Sequence, residues 1–367
     1  MKRIGFLYEQ MVSVENCRQA ILNASQRKKN REKVKRILDN LDYYANDLSE
    51  RLVRIDFLTP YTRRIIKDGL SGKERELQIP SFYPDQCAHH AIIQILKPII
   101  EKSSYHWSCA NIPNRGIDLA CKGVEKATMR DKKHAKYCVK MDISKFYPSI
   151  PHDKLKARLR QKIKDEKALR LIYAVIDSHK PGLPIGNYTS PWLAEFFLQP
   201  LDYRIKQKHH IRYYVRYADD LVLVDNNKRK LRKALYDICD FVHELGMNIK
   251  HDYQLFRIQR SNTDRKHPKG RKIDFVGRCF GIGVTTIRKR RALALMRQSR
   301  YIQKLQGRNH PVSYKIASGF MSRCSCFKHT NSNGLKKKYY DTVNIQKLKE
   351  VISNESKRKC LARCASY

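Results

Sequence analysis

The segment VRYADDLVLVDN (residues 215–226) sets two aspartates side by side between runs of β-forming residues. With IRYYVRY (211–217) before the acids and LVLVDN (221–226) after them, the pattern predicts a β-hairpin joined tightly at Ala218-Asp219-Asp220. Adjacent like charges repel, and an isolated ADD is an ordinary solvated turn. A third acid changes the reading. Asp142 stands in YCVKMDISKFYPSIP (137–151), which reads as a buried strand followed by a turn, with Pro148 and Pro151 stopping it. If that strand and the hairpin are neighbours in one sheet, Asp142, Asp219 and Asp220 meet at one edge. Bare carboxylates so placed cannot all stay ionised. Divalent magnesium resolves the conflict, because it takes carboxylate oxygens and keeps positions open for phosphate. Two such ions about 4 Å apart clamp the attacking and leaving oxygens of a phosphoryl transfer.

Outward from the acids, helical and extended patterns alternate. HDKLKARLRQKIKD (152–165) starts a helix that His152 or Asp153 can cap. After the loop KPGLPIGNYTSP (180–191), WLAEFFLQPLDYRIKQ (192–207) puts Leu193, Phe196, Phe197 and Leu201 on one helical stripe. KRKLRKALYDICDFVHELG (228–246) is a helix closed by Gly246, and IDFVGRCFGIG (273–283) a further strand. Residues 1 to about 55 read as helical, with Leu38, Leu41, Leu48 and Leu52 at helical spacing around the basic run QRKKNREKVKR (26–36). CAHHAIIQILKPIIEK (87–102) is another amphipathic helix, whose His89 and His90 read as packed or surface side chains rather than ligands. Beyond residue 285, basic helical patterns take over in RKRRALALMRQSRYIQKL (288–305) and LKKKYYDTVNIQKLKEVI (335–352). The fold class is therefore α+β, an antiparallel sheet with helices on one face and helical ends.

Charge restricts the partners. Of 367 residues, 76 are Lys or Arg and 35 are Asp or Glu, a formal net charge of +41. So basic a chain repels itself unless a polyanion offsets the charge, and nucleic acid is the usual one. Its binding should weaken steeply with salt. A 41% hydrophobic content supports a folded core, while a mean hydropathy of -0.64 implies a very polar surface. The 11 cysteines are odd in number and scattered, which points to free thiols in a reducing cytoplasm. Cys324, Cys326, Cys360 and Cys364 do not have the spacing of a zinc knuckle or ribbon. No stretch approaches the roughly 20 apolar residues of a membrane span, and the start is too short in apolar residues for a signal peptide.

Together the motifs resemble a reverse transcriptase of bacterial or phage type. The resemblance covers roughly residues 60–285. It runs through GKERELQIPSFYPDQCAHHAI (72–92), NIPNRGIDLA (111–120), KMDISKFYPSI (140–150), GLPIGNYTSP (182–191), YADD (217–220), LGMNIKHDYQ (245–254) and IDFVGRCF (273–280). It implies a right-hand polymerase of fingers, palm and thumb, with an antiparallel palm sheet and a helical thumb. Residues 1–58 would form a helical N-terminal extension, 59–285 the fingers and palm, and 286–367 a basic helical thumb. It implies RNA-directed DNA synthesis with two Mg2+ ions, for which Mn2+ can substitute. Asp142 and Asp219 would ligate both ions with the Ile143 carbonyl, and Asp220 would complete the acidic cluster. Tyr147, with Phe146 as runner-up, falls where an aromatic ring excludes a 2′-hydroxyl. Lys73 and Arg75 fall where the fingers grip a triphosphate, and Ile185, Gly186 and Ser190 where the nucleotide pocket is lined. Arg115, Gly116, Tyr217 and Gly277 fall at template and primer positions. Implied partners are an RNA template, a DNA or RNA primer and deoxynucleoside triphosphates. A structured non-coding RNA and a small basic accessory protein fit a retroelement or antiviral setting.

Three departures stand out. Many members carry glutamine before the loop glycine; here it is Ile185, a mark of diversity-generating retroelements, yet Pro191 follows the serine as in ordinary members. The lysine often found after the LG pair is replaced by Tyr253, with Lys250 nearby. The tail lacks a second acidic cluster for RNase H and the Cys/His pattern of an HNH nuclease. Two alternatives keep their place: a defence polymerase making untemplated or protein-primed DNA, and an inactive RNA-binding scaffold.

Overall fold

The computed structural model of the chain describes residues 3–67, 72, 74–260 and 269–364. Two compact units form, residues 1–123 with 139–255 and residues 124–138 with 256–367. The architecture is mixed α and β, as the pattern predicts.

The first unit opens with α1 (Tyr8–Val12), α2 (Val14–Ala24), α3 (Glu32–Asp39) and α4 (Leu41–Arg54). The long helical stretch is thus broken three times: at Ser13, across the start of the basic run, and at Asn40, whose φ of -122° and ψ of 43° leave the helical region. Cys17, Ala20, Ile21 and Ala24 form the buried face of α2, and Leu48 and Leu52 that of α4; Leu38 and Leu41 are only partly buried. A hairpin of β1 (Thr62–Lys67) and β2 (Glu74–Ile79) follows, then α5 (Cys87–Ser103) and α6 (Ile117–Glu125). Amides tie α2 to α5: Asn16 Nδ2 donates to the Ala91 carbonyl (3.0 Å) and Asn23 Nδ2 to Gln94 Oε1 (2.7 Å). His89 and His90 are packed, as expected. Burial pushes both rings down to about 4, and His90 stacks on Tyr188 at 3.7 Å.

Next come β3 (Tyr137–Asp142), α7 (Phe146–Ser149), α8 (His152–Lys162), α9 (Glu166–Asp177), α10 (Thr189–Tyr203), β4 (Tyr213–Tyr217), β5 (Asp220–Asp225), α11 (Lys228–Glu244) and β6 (Gln254–Arg257). Four of these strands make one sheet in the order β4-β5-β3-β6. An interior strand is covered on both faces, which is why Leu221, Val222, Leu223 and Val224 form an unbroken apolar run. α10 is buried almost all round, including its predicted stripe, and Gln199 fastens it to α5 by donating to the Ile100 carbonyl (2.9 Å). Asn227 caps α11, and Gly246 turns the chain out at φ 81°.

Neither His152 nor Asp153 caps α8. Pro151 takes the cap position, and the His152 ring is engaged elsewhere, with Nε2 2.9 Å from the Gly182 carbonyl. A stronger cap stands at Asp165, whose Oδ1 accepts from the Ala168 amide of α9 (3.1 Å). Its Oδ2 accepts from the Leu7 and Tyr8 amides (2.8 and 2.9 Å), so one carboxylate closes α9 and anchors the N-terminal arm. Asp165→Ala is expected to cost about 1–2 kcal/mol, measured by urea unfolding. Loss of only the few tenths typical of a surface change would show the arm to be held elsewhere.

The second unit contains a three-stranded sheet of β7 (Ile273–Phe275), β8 (Arg278–Gly281) and β9 (Val284–Ile287). Val276 and Gly277, at φ 41° and 83°, form its first two-residue turn, where two positive φ angles match the strand twist. Helices α12 (Lys289–Gly307), α13 (Tyr314–Cys324), α14 (Asn333–Tyr339) and α15 (Ile345–Cys364) pack around Leu295, Ile302, Phe320 and Leu348. Cys324 and Cys326 are free, buried thiols; the side chains of Cys360 and Cys364 lie outside the described residues. Among the described residues no helix is long and apolar enough to cross a membrane.

Candidate active site

The β4–β5 hairpin forms with Tyr217 paired to Asp220, which leaves Ala218 and Asp219 as its two-residue loop. Ala218 takes φ 54°, a left-handed conformation that costs an alanine about 1–2 kcal/mol. Strain of this kind gathers at functional sites, where the surroundings hold it in place. One backbone bond joins the two acid-bearing segments, and two more tie the end of β3 to residues 248–250. Ile143 N donates to the Asp219 carbonyl (3.2 Å), Lys250 N to the Asp142 carbonyl (2.8 Å), and Ser144 N to the Asn248 carbonyl (2.8 Å). Asp142, at the end of β3, thereby stands beside the hairpin loop. Asp142 and Asp220 line one small cavity with Lys140, Lys250, Asp252 and Tyr253.

The electrostatics are those of an overcrowded acid cluster. Burial raises the pKa of Asp219, and the Asp142 charge raises it further; Lys250 and Arg75 partly offset this. Burial likewise pushes Asp220 up to about 6, against the pull of Lys140 and with the push of Asp142 and Asp219. The Lys250 ammonium lies in ion-pair contact with Asp142 Oδ1. Burial works against that ammonium, but Asp142 outweighs it and raises the lysine pKa. Two reluctantly ionised acids beside a third that draws a lysine onto itself fit a divalent cation. Among the described residues no three His, Cys, Asp or Glu side chains stand close enough to hold an ion alone. Magnesium, when bound, takes one or two carboxylates and completes its shell from water and phosphate.

A pH dependence follows. Asp220 binds its proton more tightly in the folded chain (about 6) than in the unfolded chain (near 3.8). The folded state therefore holds the extra proton between those values, and stability falls as pH rises through that window. In chelator, Asp220→Asn is expected to remove this part of the loss, so its melting temperature exceeds the parent's by more at pH 7 than at pH 4. Equal offsets at both pH values would contradict the raised folded pKa.

The other predicted residues divide. Phe146 is buried, whereas the neighbouring Tyr147 is half-buried, with its hydroxyl 3.5 Å from Asn111 Nδ2. Burial raises the Tyr147 pKa, and the Asp219 charge is near enough to raise it further. Arg75 is exposed on β2 and its charge reaches Asp219; Lys73 lies outside the described residues. Gly186 has φ 137°, and any Cβ there would collide with the Gln78 carbonyl. The preceding Ile185, partly buried, accepts from the Gln78 amide (2.8 Å), so this loop is strapped to β2. Ser190 departs from its expected place. It is 1% exposed, buried at the start of α10 with an unpartnered hydroxyl, and so cannot line an open pocket. Arg115 is not a free surface cation either, since Nη1 donates to the Tyr105 and Ser108 carbonyls (2.6 and 2.9 Å). Gly116 (φ 101°) has open space around it, Tyr217 is partly buried beside the loop, and Gly277 stands in the second unit. Two residues near the acids were not foreseen in these places: Asn111 beside Tyr147, and Lys250 on Asp142. Only Lys250 had a sequence signal, its proximity to the missing lysine.

The family described as reverse transcriptase (RNA-dependent DNA polymerase) matches residues 66–264, more than half of the chain. Retron Ec73 reverse transcriptase of Escherichia coli is 30% identical over 162 residues, 41% of this chain and 49% of that protein. Group II intron-encoded protein LtrA of Lactococcus lactis subsp. cremoris is 30% identical over 184 residues, 47% of this chain and 28% of that one. Protein YkfC of Escherichia coli K12 is 24% identical over 298 residues, covering 68% and 73% of the two chains. The matched stretch thus spans about half of the retron protein and under a third of the intron protein.

Proposed function

The chain belongs to the reverse transcriptase (RNA-dependent DNA polymerase) family, and we propose that it extends a primer with deoxynucleotides on an RNA template. Family membership implies a divalent cation, which supplies charge neutralisation at the attacking and leaving oxygens when bound. The observation that carries the reading is the backbone bond from Ile143 to Asp219, which sets the end of β3, with Asp142, against the Asp219-Asp220 pair, where the charge of the exposed Arg75 also acts. Asp142 and Asp219, with the Ile143 carbonyl, would hold the cations, and Asp220 would complete the cluster. Lys250 neutralises Asp142 in their absence and gives way when they bind. Arg75 receives the triphosphate, for which a guanidinium fork is suited. Tyr147, not Phe146, stands under the incoming sugar and excludes a 2′-hydroxyl; the buried Phe146 packs. The strapped loop at Ile185 and Gly186 forms one wall of the nucleotide pocket. Residues 59–285 serve as fingers and palm, and the basic helices beyond them as a thumb. The likeness to the retron enzyme supports a retron-like setting, with a structured RNA as template, as part of this reading.

Primer extension on RNA tests this. Extension that requires the template and prefers deoxynucleotides supports the reading; template-independent addition points to the defence polymerase, and no addition to a scaffold. Tyr147→Ala is expected to raise ribonucleotide use relative to deoxynucleotide use at least about tenfold. Unchanged discrimination would return the gate to Phe146 or to neither ring.

A further inference from the structure

β4 carries a full charge inside its buried run. Arg216 and Asp202 have no exposed surface, and Glu195 has 2%. Arg216 Nε donates to Asp202 Oδ1 (2.8 Å), and Nη2 donates to Asp202 Oδ2 (2.6 Å) and Glu195 Oε1 (2.9 Å). Tyr214 Oη donates to Asp202 Oδ1 as well (2.7 Å). Burial opposes the guanidinium charge, but Asp202 and Glu195 outweigh it and hold the pKa well above the ordinary value. Such a cluster is no gain in stability by itself, since packed apolar residues often do as well. This one makes a further bond. Nη1 donates to the carbonyl of Ala218 (3.3 Å), the left-handed residue immediately before Asp219. The main chain at Arg216 is fixed too: its amide donates to the Trp107 carbonyl (3.0 Å), and its carbonyl accepts from Cys109 N (2.9 Å). Arg115 holds that same 105–109 segment through its two carbonyl contacts. The guanidinium thus has an immobile base, and one of its bonds reaches the acidic loop.

We propose that Arg216 is a positioning residue for the acid cluster: clamped by Asp202 and Glu195, its guanidinium fixes the Ala218 carbonyl and sets the direction of Asp219. The role rests on the reading of Asp219 as a cation ligand. Groups that orient a ligand from behind typically change metal affinity by about 10–100-fold when altered. Glycine takes positive φ without penalty and so has less need of an external restraint.

Arg216→Lys keeps the charge that the buried carboxylates require and loses the fork. Its affinity for Mn2+ alone, followed by electron paramagnetic resonance on the folded protein, is expected to fall about 10–100-fold. Affinity for an RNA–DNA duplex is expected to stay at the parent level. Adding Ala218→Gly should recover most of the Mn2+ affinity, which a role confined to overall stability would not produce. Should Arg216→Lys not fold, Glu195→Gln carries the test, because Asp202 still balances the arginine. The same direction of loss and the same rescue by Ala218→Gly are expected there. Parent-like Mn2+ affinity, or a loss that Ala218→Gly leaves untouched, overturns the proposal. If Asp219→Asn also binds Mn2+ like the parent, the ligand reading beneath the proposal fails with it; if only the Arg216 result is negative, that reading stands.

Discussion

Asp219→Asn is expected to lower nucleotide incorporation by at least about 10²–10³-fold while leaving affinity for an RNA–DNA duplex unchanged. Asparagine keeps the size of the side chain and its place in the Ala218-Asp219 loop, and the bond from Ile143 goes to the main-chain carbonyl, which the substitution leaves alone. What disappears is one negative charge in a cluster where burial and Asp142 already make ionisation unfavourable. The fold should therefore be no weaker without metal, and a lost rate cannot be put down to unfolding. Asp142→Asn is expected to behave alike, with the difference that it also frees Lys250 from its ion pair. Single-turnover primer extension beside duplex binding reads both quantities. Incorporation within a few-fold of the parent would remove Asp219 from the chemistry.

Asp202→Ala has the largest expected effect on stability, about 3–5 kcal/mol. It leaves a fully buried guanidinium with Glu195 as its single ionic partner and removes the acceptor of the Tyr214 hydroxyl. For a unit of some two hundred residues this corresponds to a melting-temperature drop of roughly 6–20 °C, read by calorimetry. Glu195→Gln should cost much less, because Asp202 keeps its two bonds to the guanidinium and its bond from the Tyr214 hydroxyl. A drop for Asp202→Ala below about 1 kcal/mol would mean that the buried charge is relieved by a route the geometry does not contain.

How much could be read in advance depended on the range of each interaction. The hairpin was legible because strand, loop and strand are contiguous, and the unbroken LVLV run marks a strand covered on both faces. Gly186 and Gly277 were singled out through the resemblance, and the structure gives each a backbone reason: a Cβ at Gly186 would meet the Gln78 carbonyl, and Gly277 takes φ 83°. The meeting of Asp142 with Asp219 was a conditional inference, since it needs β3 and β5 in one sheet, and that pairing is not written locally. Side-chain commitments were the least accessible. Arg115 was placed at the template strand by the resemblance alone, yet two carbonyls in the preceding turn claim its guanidinium. Ser190 looked like pocket lining until α10 proved buried almost all round. Arg216 was visible as a charge within a β-forming run, but its partners lie 14 and 21 residues earlier on a helix, beyond the reach of any pattern in the hairpin.

Anomalous diffraction from crystals grown with Mn2+, a primer–template duplex and a nonreactive deoxynucleotide addresses the central claim most directly. Two manganese peaks in contact with the Asp142 and Asp219 carboxylates, with Lys250 withdrawn from Asp142, are the predicted result. Manganese bound elsewhere, with Lys250 still seated on Asp142, would contradict it.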